Sequence, residues 1–498
     1  MTAWLQTTPA IGAALERLLR RAVEKTASTG SSSQPKLVSL IEQVSRLDPL
    51  AFFSRARAAA QDSFYWEQPA ERFALSGAGV AHVIAPEGKE RFARAAAEWR
   101  AIITDALIEG DINESLVVGP LLTGGFSFDP ERPSSPLWRE FPDSRLVLPR
   151  FQLTAGHGRC WLTTNVVVSP DDDPETLAAE IAGERAELFG DGEWPSSPAP
   201  LPILGEGGRG GPLSSPVHGW GPSLTLEEVL LASEWQAIVA GGVDAVQGGE
   251  LEKVVLARQV SVRGEATFDV PEALQRLRAS YPTCYIFAVA RGDQVFLGAS
   301  PERLARLRDR EVRVACLAGS RRRGTTPEED RCLAAGLLES AKDRSEHAVV
   351  VRALREALAA VCSEVSAPDA PALLSVRNVH HLYTPVTGTL ANGSCLLDIV
   401  ARLHPTPAVG GFPSQTALRF IREREDLDRG WYAAPVGWLD RHGEGEFAVA
   451  LRSALIAGSE ASLFAGCGIM ADSDPEQEYA ESWLKLRPVL SALGGREP

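Results

Sequence analysis

The sequence predicts a chain of the α+β class, because strand patterns and helical patterns follow one another without a regular βαβ repeat. The chain has 498 residues, of which 44% are hydrophobic and 23% are charged, as is usual for a globular protein. The sequence shows no internal repeat of fixed period, which argues against a solenoid or a propeller. Its length suits one large domain or a few domains of average size.

The predicted elements follow from the period of the apolar residues along the chain. An amphipathic helix pattern opens the chain, with apolar residues between Ile11 and Ala22. The other predicted helices lie at 87–109, 174–188, 225–247, 327–365 (continuous or broken), 414–425 and 475–493. The strands predicted in the second half lie at 251–262, 284–291, 294–298, 311–317, 446–456 and 461–467.

A segment rich in Pro, Gly and Ser at 194–223 divides the chain. This composition is typical of a long loop or linker. We therefore predict an N-terminal part at 1–193, built of helices and strands, and a second part at 224–498. The glycines of GEGGRGG within the segment do not form a phosphate-binding loop, because no strand precedes them and no helix follows.

Charge and cysteine content argue against several classes of function. The formal net charge of −15 disfavours a nucleic-acid partner or an anionic membrane, since both attract basic surfaces. The seven cysteines are scattered and include no Cys-x-x-Cys pair, which favours a reducing cytoplasm over a disulfide framework or a structural zinc site. No apolar run approaches the ~20 residues that a transmembrane helix requires.

A lysine on the apolar face of a predicted strand is the first candidate for chemistry. In LEKVVLARQV, Lys253 shares a face with Leu251, Val255 and Ala257, because side chains alternate along a strand. A buried ammonium group is costly unless it is paired or loses its proton. These residues alone leave two interpretations open: an edge strand whose lysine reaches water, or a lysine buried for a chemical purpose.

Two predicted helices carry acidic residues at the end of an apolar stripe. Glu346 extends the stripe of one helix, and the C-terminal helix places Glu478, Glu481 and Lys485 on one line. Carboxylates in such places can bind a hard cation such as Mg²⁺, which takes one or two of them and keeps several waters. They can equally be solvated acids that interact with the N-terminal dipole of a helix.

A further acid follows the end of a predicted strand. In VFLGASPERLARL, Pro301 interrupts the extended chain and Glu302 comes directly after it. An acid in this place can point into a cleft, or it can be an ordinary turn residue.

Ten motifs of the second part resemble those of the chorismate-utilising enzymes, and among these the isochorismate synthases of the menaquinone type. They are, in order, LEKVVLAR, FLGASPERL, LAGSRRRGT, KDRSEH, VHHLYTPVTG, LHPTPAVGG, GWYAAPVGW, FAVALRSALI, AGCGIM and QEYAESWLKL. In the first part only FYWEQPAERFALSG is similar. The resemblance implies a fold like that of anthranilate synthase component I and aminodeoxychorismate synthase, with large antiparallel sheets and helices on their outer faces.

The resemblance also implies an activity, in which water attacks C2 of chorismate and the C4 hydroxyl leaves. Lys253 corresponds to the lysine that activates the water, and Glu302 to the acid that protonates the departing hydroxyl. Such a base must be desolvated or lie near positive charge, whereas the acid must keep its proton in a buried site. The implied ligands of Mg²⁺ are Glu346, Glu481 and, through a water, Glu478. The implied substrate-binding residues are Gly319, Ser320, His381, Ala408, Tyr432, Arg452, Gly468 and Lys485.

Three functions remain open within this resemblance. Lys253 and Ala408 favour water over ammonia, because ammonia-using relatives lack the lysine and tend to have threonine at the second position. Salicylate synthase, which also eliminates pyruvate from isochorismate, is the main alternative, and an inactive chorismate-binding subunit is another. Ala434 departs from the glycine usual in the family beside Tyr432. We expect a cytoplasmic monomer, with a dimer left open, that serves menaquinone or siderophore synthesis.

Overall fold

The computed structural model describes residues 8–28, 35–59, 62–112, 117–190, 224–376, 379–391 and 393–495. The helices and strands in these ranges confirm the α+β class. The α-helices are α1 (Thr8–Ser28), α2 (Pro49–Ala58), α3 (Arg91–Thr104), α4 (Pro174–Phe189), α5 (Ala232–Gln247), α6 (Val270–Ser280), α7 (Pro327–Glu339), α8 (Ala341–Ala359), α9 (Leu396–Leu403), α10 (Ser414–Arg424) and α11 (Pro475–Ala492). Short 3₁₀ helices lie at Pro69–Glu71 and Pro136–Trp138.

The strands are short to medium in length and are spread over both parts of the chain. They are β1 (Lys36–Val44), β2 (Ser63–Gln68), β3 (Phe73–Ala78), β4 (His82–Ile84), β5 (Leu107–Gly110), β6 (Leu122–Phe126), β7 (Ser144–Leu148), β8 (Phe151–Gly156), β9 (Arg159–Val168), β10 (Thr225–Glu228), β11 (Lys253–Arg263), β12 (Tyr285–Arg291), β13 (Gln294–Ser300), β14 (Arg303–Arg308), β15 (Glu311–Arg322), β16 (Cys362–Ser366), β17 (Ala372–Ser375), β18 (Val379–Leu390), β19 (Gly411–Phe412), β20 (Pro435–Leu439), β21 (Gly445–Val449), β22 (Ser453–Ala457) and β23 (Glu460–Ile469).

These strands form two large sheets. The larger sheet runs in the order β10-β11-β23-β22-β13-β12-β2-β3-β8-β9-β1-β5, with β19 also paired to β11. The smaller sheet runs in the order β16-β18-β15-β14-β21-β20-β6-β7-β4, with β17 paired to β18. Strands from 1–193 and from 224–498 pair directly in both sheets, as β2 does with β12 and β6 with β20. The central pairings around β11 and β15 are antiparallel.

The core lies between the sheets and under the helices. The largest cluster of buried side chains contains residues of both sheets, such as Phe287 of the larger and Val314 of the smaller. A second cluster packs α2, α6 and α11 against the other face of the larger sheet. A third cluster packs α1 and α4 against β1, β8 and β9 of that sheet. Burial of apolar side chains between the sheets and under the helices therefore fixes how these elements pack.

The structure differs from the sequence-based elements in several places. The helix predicted at 225–247 begins as strand β10, and the helix predicted at 87–109 ends before strand β5. The pattern at 327–365, which left a continuous or a broken helix open, forms two helices: they separate at Ser340, whose side chain caps α8, and strand β16 begins at Cys362. The single strand predicted at 446–456 is wrong: β21 belongs to the smaller sheet and β22 to the larger. The apolar pattern runs through this junction because both strands are buried, so nothing in the pattern marks the change of sheet.

None of the helices in the described ranges is long and apolar enough to cross a membrane. The predicted linker at 194–223 lies outside the described residues.

Candidate active site

A cavity lies between the two sheets where the chain twice crosses from one sheet to the other. The first crossing leads from β13 through Glu302 into β14, and the second from β21 through Arg452 into β22. Arg452 has a φ of 50°, a left-handed conformation that is unfavourable for a residue with a side chain and recurs at functional sites. The predicted site residues on the cavity wall are Glu302, Ser320, His381, Ala408, Tyr432, Arg452 and Lys485.

Lys253 lies beside this cavity and is only 1% exposed. Its strand is covered by β19 on one side and β23 on the other at this point, so the edge-strand interpretation is wrong. Its Nζ lies 2.8 Å from Oε1 of Glu346, which α8 brings across from the smaller sheet. Burial raises the pKa of Glu346, but the charge and hydrogen bond of Lys253 outweigh it and hold that pKa below its usual value.

Gly468 leaves the space that this ion pair occupies. A Cβ atom at Gly468 would lie 2.5 Å from Oε1 of Glu346 and 2.8 Å from Cε of Lys253, closer than carbon atoms tolerate. Gly468 pairs with Val255 of β11, and Val255 itself lines the cavity. Any side chain at this position would displace the lysine, the carboxylate or both.

Glu302 has the properties of a proton donor. It is 4% exposed, and burial raises the pKa of its carboxyl to about 8, although the charges of Lys253 and Lys485 oppose the rise. Its backbone carbonyl accepts a hydrogen bond from Val449, which fixes the turn between the sheets. The carboxyl therefore keeps its proton at neutral pH while it faces the cavity.

His381 presents an unpaired nitrogen at the same cavity. Its Nδ1 is joined to Oγ of Ser320 by a hydrogen bond of 2.8 Å, whereas its buried Nε2 has no partner among the described residues. Burial and the charges of Arg452 and Lys485 lower the pKa of His381 well below its usual value, so the imidazole is neutral. A buried polar atom without a partner costs free energy, which makes Nε2 a natural contact for a bound ligand.

Gly319 positions Ser320 for that contact. Its φ is 81°, a left-handed value that favours glycine, and a Cβ atom there would lie 3.1 Å from Cβ of Asp343. Gly319 thus allows the end of β15 to lie close against α8.

Two cationic side chains and a tyrosine hydroxyl also line the cavity. Among the described residues, no carboxylate lies within 4.0 Å of the guanidinium of Arg452, which is 8% exposed. Nζ of Lys485 lies 2.8 Å from Oε1 of Glu481 and donates to the carbonyl of Gly466. The ring of Tyr432 stacks on Phe464 with centroids 5.3 Å apart. These groups suit a ligand that carries carboxylates.

The three predicted metal ligands each lie against a lysine. Glu346 pairs with Lys253, Glu481 with Lys485, and Oε1 of Glu478 lies 3.4 Å from Nζ of Lys342. Burial and the neighbouring charge of Glu481 raise the pKa of Glu478 to about 7. Within the described ranges, no three His, Cys, Asp or Glu side chains come close enough to enclose a metal ion by themselves.

Arg429 also lines the cavity and is 3% exposed, although no sequence pattern singles it out. It lies in the charged run EREDLDRG, which is typical of a solvated loop.

The structure also accounts for Ala434, which stands where the family usually has glycine. The left-handed residue of this turn is Ala433, with a φ of 60°, so the methyl group of Ala434 causes no backbone strain.

Comparisons with known proteins agree on one family. The profile of the family described as "Chorismate binding enzyme" matches residues 21–203 and 214–494. A salicylate biosynthesis isochorismate synthase from Pseudomonas aeruginosa is 38% identical over 93% of this chain and 92% of its own. The isochorismate synthase MenF of Bacillus subtilis is 35% identical over 92% and 94% of the two chains. The solved structure of the menaquinone-specific isochorismate synthase of Escherichia coli matches with a TM-score of 0.73 and 25% identity, over 95% of this chain and 99% of its own.

Proposed function

This chain belongs to the family of chorismate-binding enzymes, and we propose that it is an isochorismate synthase, which converts chorismate to isochorismate. The observation that carries the proposal is one cavity with a buried lysine beside it and a protonated glutamic acid on its wall. Both curated relatives described above match more than nine-tenths of the chain and are named isochorismate synthases, which supports the same activity.

The reaction needs a base at C2, one end of the conjugated ring diene, and an acid at C4, the carbon next to its other end. Lys253 takes a proton from water as the water oxygen bonds to C2, the ring double bonds shift, and the bond between C4 and its hydroxyl breaks. Glu302 gives its proton to that hydroxyl, which leaves as water. The net change moves a hydroxyl from C4 to C2, so the enzyme is an isomerase. Positioned acid–base groups of this kind contribute ~10²- to 10⁴-fold each.

Lys253 can accept a proton only as an uncharged amine. Its ion pair with Glu346 must therefore separate before the water is activated. Glu302 begins in the opposite state, because its burial keeps the carboxyl protonated at neutral pH.

The remaining wall of the cavity binds and orients chorismate. Arg452 offers a guanidinium that can bind one substrate carboxylate in a two-pronged manner, and Tyr432 and Lys485 supply further donors. His381 offers its unpaired Nε2 to a polar group of the substrate. Fixing the ring between Lys253 and Glu302 lowers the entropy cost of reaching the transition state.

Mg²⁺ is the proposed cofactor, with Glu346 and Glu481 as ligands and Glu478 acting through water. The donor set fits, because the carboxylates of Glu346, largely buried, and Glu481, half-buried, each pair with a lysine, and Mg²⁺ commonly takes one or two carboxylates and completes its shell with water and substrate oxygens. When bound, the ion supplies positive charge for a substrate carboxylate.

Replacing a ligand should separate metal binding from folding. We expect Glu346→Gln and Glu481→Gln each to raise the Mg²⁺ concentration for half-maximal activity more than about tenfold, since even outer-shell partners are worth ~10- to 100-fold. Titration calorimetry with Mg²⁺ and no substrate should show the same loss. Glu476→Gln is the control, because Glu476 is exposed in the first turn of α11, the helix that carries Glu481. Unchanged metal titrations would contradict the ligand assignment.

Product analysis tests the proposed function as a whole. The protein, incubated with chorismate and Mg²⁺ and examined by chromatography, should yield isochorismate alone. Salicylate with pyruvate would identify a salicylate synthase instead, and no turnover would indicate an inactive chorismate-binding subunit. We further propose a cytoplasmic monomer whose product enters menaquinone or siderophore synthesis.

A further inference from the structure

A buried ion pair between Arg429 and Glu425 lies at the cavity wall, to which Arg429 contributes. Nε of Arg429 lies 2.7 Å from Oε1 of Glu425, and Nη2 lies 2.7 Å from Oε2, so the contact is two-pronged. The two residues are only 3% and 2% exposed. Removing two charges from water costs free energy that offsets much of their mutual attraction, and an apolar pair of similar size is often as stable. Stability alone is therefore a weak reason for this pair.

The pair fills a gap in the larger sheet. β11 is covered on one side by β19 at Lys253 and by β10 from Val260 onward, but no strand of the described residues covers the stretch between them. There the carbonyl of Val255 accepts from Nη2 of Arg429, and the amide of Ala257 donates to Oε2 of Glu425, each at 2.8 Å. Two charged side chains thus do what a neighbouring strand does elsewhere.

The same guanidinium binds a second segment of the cavity wall. Nη1 of Arg429 donates to the carbonyl of Val409 at 2.8 Å, and Val409 directly follows Ala408 in the cavity lining. The guanidinium carbon lies 4.3 Å from the ring centroid of Phe128, which restricts its plane. One rigid group therefore spans the strand that carries Lys253 and the loop that carries Ala408.

We propose that Arg429, fixed by Glu425, is a positioning residue for the reaction: it holds the Lys253 strand and the Ala408 loop at a set separation. This inference rests on the proposed isochorismate synthase activity. Lys253 lies two residues before Val255, so a shift of that carbonyl moves the base relative to the substrate. Misplacement of a reacting group by about 1 Å can cost ~10²-fold in rate.

The test compares Arg429→Lys with a matched variant at another buried pair. Lysine keeps the charge but cannot bridge Glu425 and two carbonyls at once. We expect kcat to fall about tenfold or more, with the KM for chorismate nearly unchanged because Arg452 still binds the substrate. Arg278→Lys is the control, because Arg278 forms a buried two-pronged pair with Asp48 and is absent from the cavity lining. It should leave kcat near that of the wild type at a similar loss of melting temperature.

A second variant covers the case in which Arg429→Lys does not fold. The double variant Glu425→Gln/Arg429→Gln has no buried charge, and its amide groups can still pair with some of these backbone groups, so it should fold; no single side chain then spans both segments, and kcat should fall in the same way. Wild-type kcat in either folded variant, or an equal loss in Arg278→Lys, would overturn the positioning inference. The wild type is assayed beside these variants. Failure of the wild type to form isochorismate would overturn the proposed function, whereas the comparison among the variants tests the positioning role of Arg429.

Discussion

Lys253→Gln is expected to lower kcat by about 10³-fold or more while the dissociation constant for chorismate changes little, because the lysine acts on water. Glutamine keeps an unbranched stem with a hydrogen-bonding end, one atom shorter than lysine, but it cannot accept the proton. The measurement is steady-state kinetics together with chorismate binding by calorimetry.

The matched control for this variant is Glu252→Gln. Glu252 is the preceding residue, and its side chain is 48% exposed in a surface pair with Arg352. Lys253→Gln also leaves Glu346 without its partner, and breaking a buried pair costs ~3–5 kcal/mol. Kinetics should therefore be measured well below the melting temperature of the variant. A rate near that of the wild type would refute the assignment of Lys253 as the base.

Glu302→Gln should remove the proton donor. It should also remove the decline of kcat that the wild type shows at high pH. We expect kcat to fall ~10²- to 10⁴-fold, because the departing hydroxyl then receives no proton. In the wild type the active form is the protonated carboxyl, with a pKa of about 8, so the rate should decline as pH rises through that value. The residual rate of Glu302→Gln should lack this decline, and Glu364→Gln, at an exposed position, should keep it.

The raised pKa of Glu302 also predicts how the stability of the folded protein changes with pH. The folded-state pKa of Glu302 lies above its unfolded value of about 4.3, so the folded protein holds the extra proton between these values and loses stability as pH rises through that window. Glu302→Gln should therefore be more stable than the wild type at pH 8, by on the order of a few kcal/mol. Equal pH dependence of melting in both proteins would contradict the buried, protonated state.

The sequence could predict the fold class and most strands, because their apolar periods are strong and local. The identity of the strand LEKVVLAR followed from its pattern, but the burial of Lys253 did not. A lysine at a strand end has the same pattern whether its neighbour is water or Glu346, and that partner arrives from α8, about 90 residues later in the chain.

Other features depend on contacts that no local pattern records. The change of sheet at Arg452 lies within a continuous apolar run, because both strands are buried. Arg429 and Glu425 belong to a charged run that resembles a surface loop, yet they complete a strand whose neighbour is missing. The acidic helix ends were visible, but their lysine partners lie on other elements or one turn away.

Isotope labelling tests the central claim most directly, namely that water attacks C2 while the C4 hydroxyl leaves. Chorismate is incubated with the protein and Mg²⁺ in water enriched in ¹⁸O, and the isochorismate formed at an early time is analysed by mass spectrometry. One ¹⁸O atom should be found in the product, at C2. Isochorismate that contains only the original oxygen would show a transfer of the hydroxyl within the substrate, and would contradict the roles assigned to Lys253 and Glu302.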